Sequence, residues 1–389
     1  MSLLITLLVG WILFGIEMDM FVPSFPELQQ VFNLSPFMVE LTLAANFIGH
    51  CITCLVIGGL GDRYGYRPII LMGVIIFVFG SILCVFATEY YILIFGRFLQ
   101  GAGIAGTTTL SYLVITNVYS VEKQQDILGY ANGVITIAMA IAPVIGSYIA
   151  LFFHWRANFL AILIIGIINL ICSYIFIPHN PPNPNTSLSF KEYKIIFRSK
   201  KTLYYIFTIC LSVIPWWIFA GIAPILYMQD MGVTLYEFGF YQGITAVVFS
   251  IGSFGNAYIV KIMGTRKYVF FGIAMFILFL ILCMTIIIMQ IKNPVIITFT
   301  MVILAIAELP SSNILYPLMF DTLPEAKAKT SAILNALRMS SIAFGVQLVG
   351  YFYDGTFRVL GIVLCVAVSV MILCMYKLLI EEGEIKRLT

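Results

Sequence analysis

The amino-acid sequence predicts an all-α membrane protein of twelve transmembrane helices arranged in two six-helix halves. Three observations carry that prediction. Of 389 residues, 61% are hydrophobic and 10% charged, with a mean hydropathy of +1.03. Soluble domains hold about 25% charged residues, so this chain has too little polar surface to clothe itself in water. Its apolar residues also gather in runs of roughly twenty, the length that a hydrocarbon core demands of a helix. Finally, Lys and Arg fall almost entirely on alternate connections between those runs, the asymmetry expected of a membrane protein with a defined orientation.

Cutting the chain at charges and at Gly, Pro and Asn clusters places the helices at 3–25, 37–60, 68–88, 90–116, 127–152, 157–178, 203–228, 236–260, 268–290, 294–320, 329–353 and 357–380. The opening MSLLITLLVGW has no basic stretch before its apolar run and no small-residue cleavage site, so it reads as the first crossing. Sixteen of the twenty-one Lys and Arg residues lie on one set of connections and the C-terminal tail, and three on the other set. The first set is therefore expected to be cytoplasmic, with both termini. The remaining two, Arg97 and Arg338, lie inside predicted helices.

The longest connection divides the chain into an N-terminal bundle, 1–178, a linker, 179–202, and a C-terminal bundle, 203–389. The linker begins with a Pro- and Asn-rich stretch that breaks helices. Its basic second half suits the surface of an anionic inner leaflet. The halves echo each other. Gly65-x-Arg67 follows the second helix, and Gly264-x-Arg266 follows the eighth, as duplicated halves would have it.

Several function classes fall away. A net charge of +3 is too small to suggest a nucleic-acid partner. The eight cysteines all sit in apolar runs and read as small hydrophobes. Cys51-x-x-Cys54 has no second pair at metal-site spacing, so no metal is expected. The chain has no phosphate-binding loop, no His-Glu-x-x-His and no Gly-x-Ser-x-Gly. An enzyme, and transport driven by nucleotide hydrolysis, are therefore not expected, nor is a cofactor.

The residues that could carry a mechanism are polar groups inside the apolar runs. Gly58 to Pro68, GGLGDRYGYRP, joins helices two and three. Its glycines permit a tight connection. Asp62 can accept backbone N–H bonds at a helix N-terminus, and Arg63 and Arg67 can pair with acids or lipid phosphates. The same residues would also serve an ordinary basic turn. Arg97, in RFLQGAG, places a cation inside a helix, which is costly enough to suggest a function. It can also snorkel, being about two turns from the helix end. Ala138, Ala142, Gly146 and Ala150 recur every four residues in helix five and make a flat face for close approach. Pro143 within the stripe can kink it. Ala246, Ser250, Ser253 and Ala257 offer a matching face in helix eight, so the two helices are expected to cross closely between the halves.

Glu17 and Asp19 close the first apolar run, and Pro23 follows four residues after Asp19. Pro23 has no N–H, so the Asp19 carbonyl loses its helical partner and the helix should loosen there. Two residues apart on a regular helix, the acids point about 200° apart. Burial favours a neutral acid and a nearby cation favours the carboxylate, and a group pulled both ways can exchange protons near neutral pH. The other reading is that both acids sit wet among the lipid headgroups.

Asn46 and His50 share a face of helix two. Glu308 lies in helix ten just before Pro310, with Arg338 of helix eleven as the obvious partner. They read equally well as a structural pair or as a second site. Trp216, Trp217 and Tyr227 can line a cavity for flat organic molecules or simply face lipid.

The stretch Gly58, Asp62, Arg63, Gly65 and Arg67 resembles the signature loop of the major facilitator superfamily, G-x-x-x-D-R-x-G-R-R, with Tyr66 replacing one basic residue. Arg97, Gln100, Gly101 and Gly103 resemble the family's R-x-x-Q-G-x-G motif of proton-coupled members. Helix five resembles its antiporter motif, G-x-x-x-G-P-x-x-G-G. Pro143 and Gly146 match, whereas Ala138, Ala142 and Ser147 replace glycines. DMFVPSFP, from Asp19 to Pro26, resembles the D-M-Y-x-P-x-x-P segment of the bicyclomycin and chloramphenicol exporters. The resemblance implies the major facilitator fold, two pseudo-symmetric bundles with a cavity between them, and alternating access. It implies a proton-coupled exporter of drugs or small organic compounds, acting as a monomer in a bacterial inner membrane. Asp19 and Arg97, with Glu17, would form the proton-coupling site, and the loop after helix two a conformational latch. The alternative is a dedicated metabolite carrier: a siderophore or amino-acid exporter, or an uptake symporter.

Overall fold

The computed structural model describes residues 2–119, 121–179, 194–323 and 327–381, and everything ordered in it is helical. The chain forms two compact units, Met1–Ser189 and Phe190–Thr389.

The N-terminal unit contains α1 (Ser2–Glu17), a 3-10 turn (Val22–Ser24), α2 (Phe25–Phe32), α3 (Pro36–Tyr64), α4 (Tyr66–Val85), α5 (Tyr90–Val118), α6 (Val121–Phe153) and α7 (Trp155–Phe176). The C-terminal unit contains α8 (Lys194–Arg198), α9 (Lys200–Pro224), α10 (Leu235–Phe254), α11 (Asn256–Met263), α12 (Thr265–Met289), α13 (Pro294–Pro310), α14 (Tyr316–Phe320), α15 (Lys327–Phe352) and α16 (Phe357–Tyr376). Among the described residues nine helical runs are long and apolar enough to cross a membrane. Helices α5, α6 and α10–α11 occupy the other three of the twelve predicted crossings. Large apolar side chains such as Phe79, Ile164 and Ile281 stand exposed. A soluble protein could not tolerate so many; a bilayer covers them.

The helix ends follow from local chemistry. Ser35 caps α3, accepting from Met38 N at 3.4 Å ahead of Pro36. Asn293 caps α13 by accepting from Val295 N at 2.9 Å. Thr234 and Glu237 make a reciprocal capping box at α10. Asn33 and Gln290 end α2 and α12 in the left-handed conformation. The internal echo has a structural counterpart. Gly65 has φ 90° and ψ 149°, and Gly264 has φ 77° and ψ 149°. Both glycines occupy a region that side-chain-bearing residues avoid, and each starts the next long helix in the same way.

Five predicted crossings are not single regular helices, the twelfth only at its end, where α16 passes into a π-helical turn, Lys377–Glu381. The first stops at Glu17 and resumes only at Val22. The missing N–H of Pro23 accounts for the break, and the last helical bond runs from Met20 N to Ile16 O at 3.0 Å. The seventh widens into a π-helical turn, Ile225–Asp230, directly after Pro224. The eighth breaks after Phe254 at Gly255. The tenth passes Pro310 into a π-helical turn, Ser311–Leu315. Broken helices are tolerated at membrane depth only where neighbouring groups satisfy the freed backbone. The Asn313 side chain does this for Leu309 O at 3.0 Å.

Candidate functional site

Within the N-terminal unit, three helices bring their polar side chains to one point. Ending α1 at Glu17 turns the chain sharply, and α6 receives the turn. A Cβ on Gly146 would collide with the Met20 carbonyl, so glycine there allows the broken segment to lie against α6. One turn lower, Gly15 faces Ala138. The small-residue stripe of helix five therefore serves α1 inside its own unit, and Ala142 and Pro143 are buried beside it. The side chain of Ala257, in the matching run, lies outside the described residues. On the other side, α3 and α5 approach so closely that a Cβ on Gly101 would strike the Asn46 carbonyl.

Glu17, Asn46 and Arg97 meet in the resulting space. Arg97 Nη1 donates to Glu17 Oε1 at 3.1 Å, and both side chains are fully buried. Asn46 Nδ2 donates to the same Glu17 oxygen and to the Arg97 carbonyl at 3.2 Å. Arg97 Nη1 also donates to Gln100 Oε1 at 2.7 Å, and Gln100 Nε2 donates to Ser81 Oγ at 2.8 Å. The guanidinium lies 4.2 Å from the Phe21 ring centroid and 5.9 Å from that of Phe159. An arginine so placed is held by charge, hydrogen bonds and aromatic faces together, and it does not snorkel. The cluster is not saturated. Glu17 Oε2, Arg97 Nε and Nη2, and Asn46 Oδ1 have no hydrogen-bond partner.

Asp19 stands outside the ion pair. It sits in the turn after α1, 5% exposed, and among the described residues it has no ion pair. The charge that acts on it is that of Glu17, and it is repulsive. Arg97 thus pairs with Glu17 rather than with Asp19. His50, four residues after Asn46, is 3% exposed, with its ring 5.8 Å from that of Phe14.

At the other end of α3, the side chains at 58 and 62 lie outside the described residues, so the expected anchoring by Asp62 has no counterpart to report. Arg63 stacks on Tyr64 at 5.5 Å. Arg67 reaches the end of α7, donating from Nη2 to the Tyr174 carbonyl at 2.6 Å and contacting His179. It ties the turn at Gly65 to the helix that leads into the linker.

The C-terminal unit holds the remaining candidates. Glu308, 7% exposed, accepts from Ser312 Oγ at 3.4 Å. Arg338 donates from Nη2 to Asn335 Oδ1 at 2.8 Å. The two attract at a distance but form no ion pair within 4.0 Å among the described residues. Trp216 and Trp217 are half-buried, and Trp216 lies 6.0 Å from Phe219. Tyr227 is 1% exposed, packed among Phe219, Phe238 and Tyr241, with its hydroxyl 2.8 Å from Thr298 Oγ1. It is a packing residue of the π-helical turn that follows α9. A cavity of about 510 Å³ lies between α10 and α13. Its lining residues Phe240, Ile244, Val295 and Phe299 are all more than half exposed, which makes it a lipid-facing groove on the C-terminal unit.

One buried acid went unnoticed in the sequence. Glu40 of α3 is 1% exposed, and neither carboxylate oxygen has a partner. A single acid inside the apolar run from Pro36 to Ile57 was the available signal.

A membrane-embedded, twelve-crossing helical fold with a buried acid–arginine cluster in its first unit defines a polytopic membrane protein of the transporter type. Comparison with known proteins makes the class specific. The family model of the Major Facilitator Superfamily matches residues 7–346, and the chain belongs to that family. It is 28% identical over 264 residues to the bicyclomycin resistance protein homolog of Haemophilus influenzae, covering 65% of this chain and 64% of that one. It is 26% identical over 260 residues to the multidrug resistance protein MdtL of Salmonella typhimurium, covering 66% and 65%. The chain thus spans just under two thirds of the length of these relatives. Among solved structures it resembles the xylose transporter XylE of E. coli in a partially occluded inward-open conformation, with TM-score 0.75 and 14% identity over 97% of both chains. At that identity the likeness shows the fold alone.

Proposed function

We propose that this chain is a proton-coupled secondary transporter that exports drugs or small organic compounds by alternating access. The observation that carries the proposal is the buried Arg97–Glu17 pair beside an unpaired Asp19. Family membership supports it, and so do the names of the relatives, a bicyclomycin resistance protein homolog and a multidrug resistance protein.

The three charges suggest how coupling works. Arg97 balances Glu17. With Asp19 protonated, the trio is neutral. When Asp19 loses its proton, the trio carries one net negative charge in a medium of low dielectric constant, where charge is costly. A cationic or strongly dipolar substrate relieves that cost. Proton and substrate therefore compete for one site, which is the requirement for exchange. No bond in the substrate is made or broken. Arg67 and the glycine turn beside it would act as the latch between conformations. Family membership favours a monomer in a bacterial inner membrane, and the charge asymmetry favours both termini on the cytoplasmic side.

The test uses purified protein in liposomes with an entrapped pH dye. An imposed proton gradient is combined with a panel of lipophilic cations, neutral antibiotics and polar metabolites. Proton flux triggered by a drug and abolished by Asp19→Asn supports the proposal. Flux with a single metabolite and no drug replaces it with a dedicated carrier.

A further inference from the structure

We propose that Glu40 is a second proton-binding site of the N-terminal unit, separate from the Glu17–Arg97 cluster. It would take up and release a proton during the transport cycle, so the inference rests on the proton-coupled reading.

Glu40 is 1% exposed and has no hydrogen bond on either carboxylate oxygen. Polar and charged groups on the helices packed against α3, namely α2, α4 and α5, are engaged elsewhere. On α5, Arg97 is held by Glu17 and Gln100, and the Tyr90 hydroxyl donates to the Met38 carbonyl at 2.7 Å. Tyr91 of α5 stacks on Tyr90. On α2, Glu27 accepts from Trp155 N at 2.9 Å and contacts His154. On α4, the Cys84 thiol is directed to Leu93 O and Gln100. On α3 itself, His50 lies almost three turns away, beside Phe14. The acids of the first crossing, Glu17 and Asp19, would only repel a carboxylate.

An ionised carboxylate cannot persist unpaired in such surroundings; it holds a proton instead. A purely structural position would be better filled by leucine, because the unmet hydrogen-bonding capacity of the acid costs stability and supplies none. Its place suits exchange with the cluster. Glu40 stands six residues before Asn46 on α3, which is about 9 Å along the helix axis, and Asn46 donates to Glu17. A proton leaving Glu40 is thus about two turns from the groups that carry the coupling.

Infrared spectroscopy of the full chain in lipid bilayers tests this without any substrate. The wild type should show the carbonyl stretch of a protonated carboxyl group, replaced by a carboxylate band as pH is raised. One component of each feature should be lost in Glu40→Gln, with the Asp19 contribution remaining, and displaced in frequency in Glu40→Asp, a variant that keeps the acid should the amide fail to fold. Spectra that superimpose for wild type and both variants at every pH overturn the proposal. Liposome experiments separate it from the proposed function. If substrate-triggered proton flux is equal in wild type and Glu40→Gln, Glu40 is a static acid and this inference fails while proton coupling stands.

Discussion

The two units use the same pair of residue types at membrane depth in opposite ways. In the N-terminal unit, Arg97 and Glu17 touch at 3.1 Å and both are wholly buried. In the C-terminal unit, Glu308 and Arg338 stand apart, each engaged by a neutral neighbour, Ser312 or Asn335. The first pair behaves as a fixed element. Removing one member would strand the other, and a stranded buried charge is far costlier than the pair itself is favourable. The second pair has nothing of the kind to lose. An acid and an arginine in two helices of one unit are therefore not one motif; their meaning depends on whether helix breaks and small residues let them touch.

The largest effect that would break this comparison is expected at Arg97. Arg97→Met should leave Glu17 buried and unpaired and lower stability by about 3–5 kcal/mol, read as loss of monodisperse protein or a large fall in melting temperature. Adding Glu17→Gln should recover part of the loss. If Arg97→Met melts like the wild type, the pair is not a fixed element.

Next comes Asp19→Asn. It should abolish proton-coupled transport while leaving the melting temperature near that of the wild type, because Asp19 has no ion pair to lose. Transport that persists along a pH gradient would remove Asp19 from the mechanism. In the other unit, Glu308→Gln and Arg338→Gln should each change stability only slightly. Their double-mutant coupling should stay below about 1 kcal/mol, the range of loosely held charge pairs, whereas the Glu17–Arg97 cycle should exceed it clearly. A large coupling between Glu308 and Arg338 would erase the contrast between the units. The smallest effect concerns Arg67→Ala, which removes the bond to the Tyr174 carbonyl. Cycling measured by spin-label distances should slow while substrate affinity holds, and equal rates would make this turn an ordinary one.

Much of the fold was legible because hydropathy and charge asymmetry are strong, additive signals. Each of the twelve predicted crossings is occupied by helix. The break after Glu17 was legible too, since Pro23 removes a specific hydrogen bond. Which acid would meet Arg97 was not. Residue spacing places Glu17 and Asp19 on opposite sides of a regular helix, but the helix ends at Glu17, and the turn beyond it no longer obeys that spacing. Contact with Arg97 is decided by α3 and α5, whose close approach at Gly101 carries Asn46 to both partners. The burial of Tyr227 was not legible for a related reason. An aromatic near a helix end reads as cavity wall or interface anchor, yet the π-turn after Pro224 rolls it into the unit's interior. Glu40 escaped notice because it matches no motif, and only its lack of partners, a property of the folded unit, sets it apart.

The central claim is that Arg97–Glu17 is a fixed pair while Asp19 exchanges the proton. Counting protons released when a transported substrate binds to purified protein in weakly buffered detergent tests it most directly. The account predicts release in the wild type, none in Asp19→Asn, and continued release in any folded Glu17→Gln protein. Release that survives Asp19→Asn and vanishes in Glu17→Gln would contradict it and make Glu17 the proton carrier.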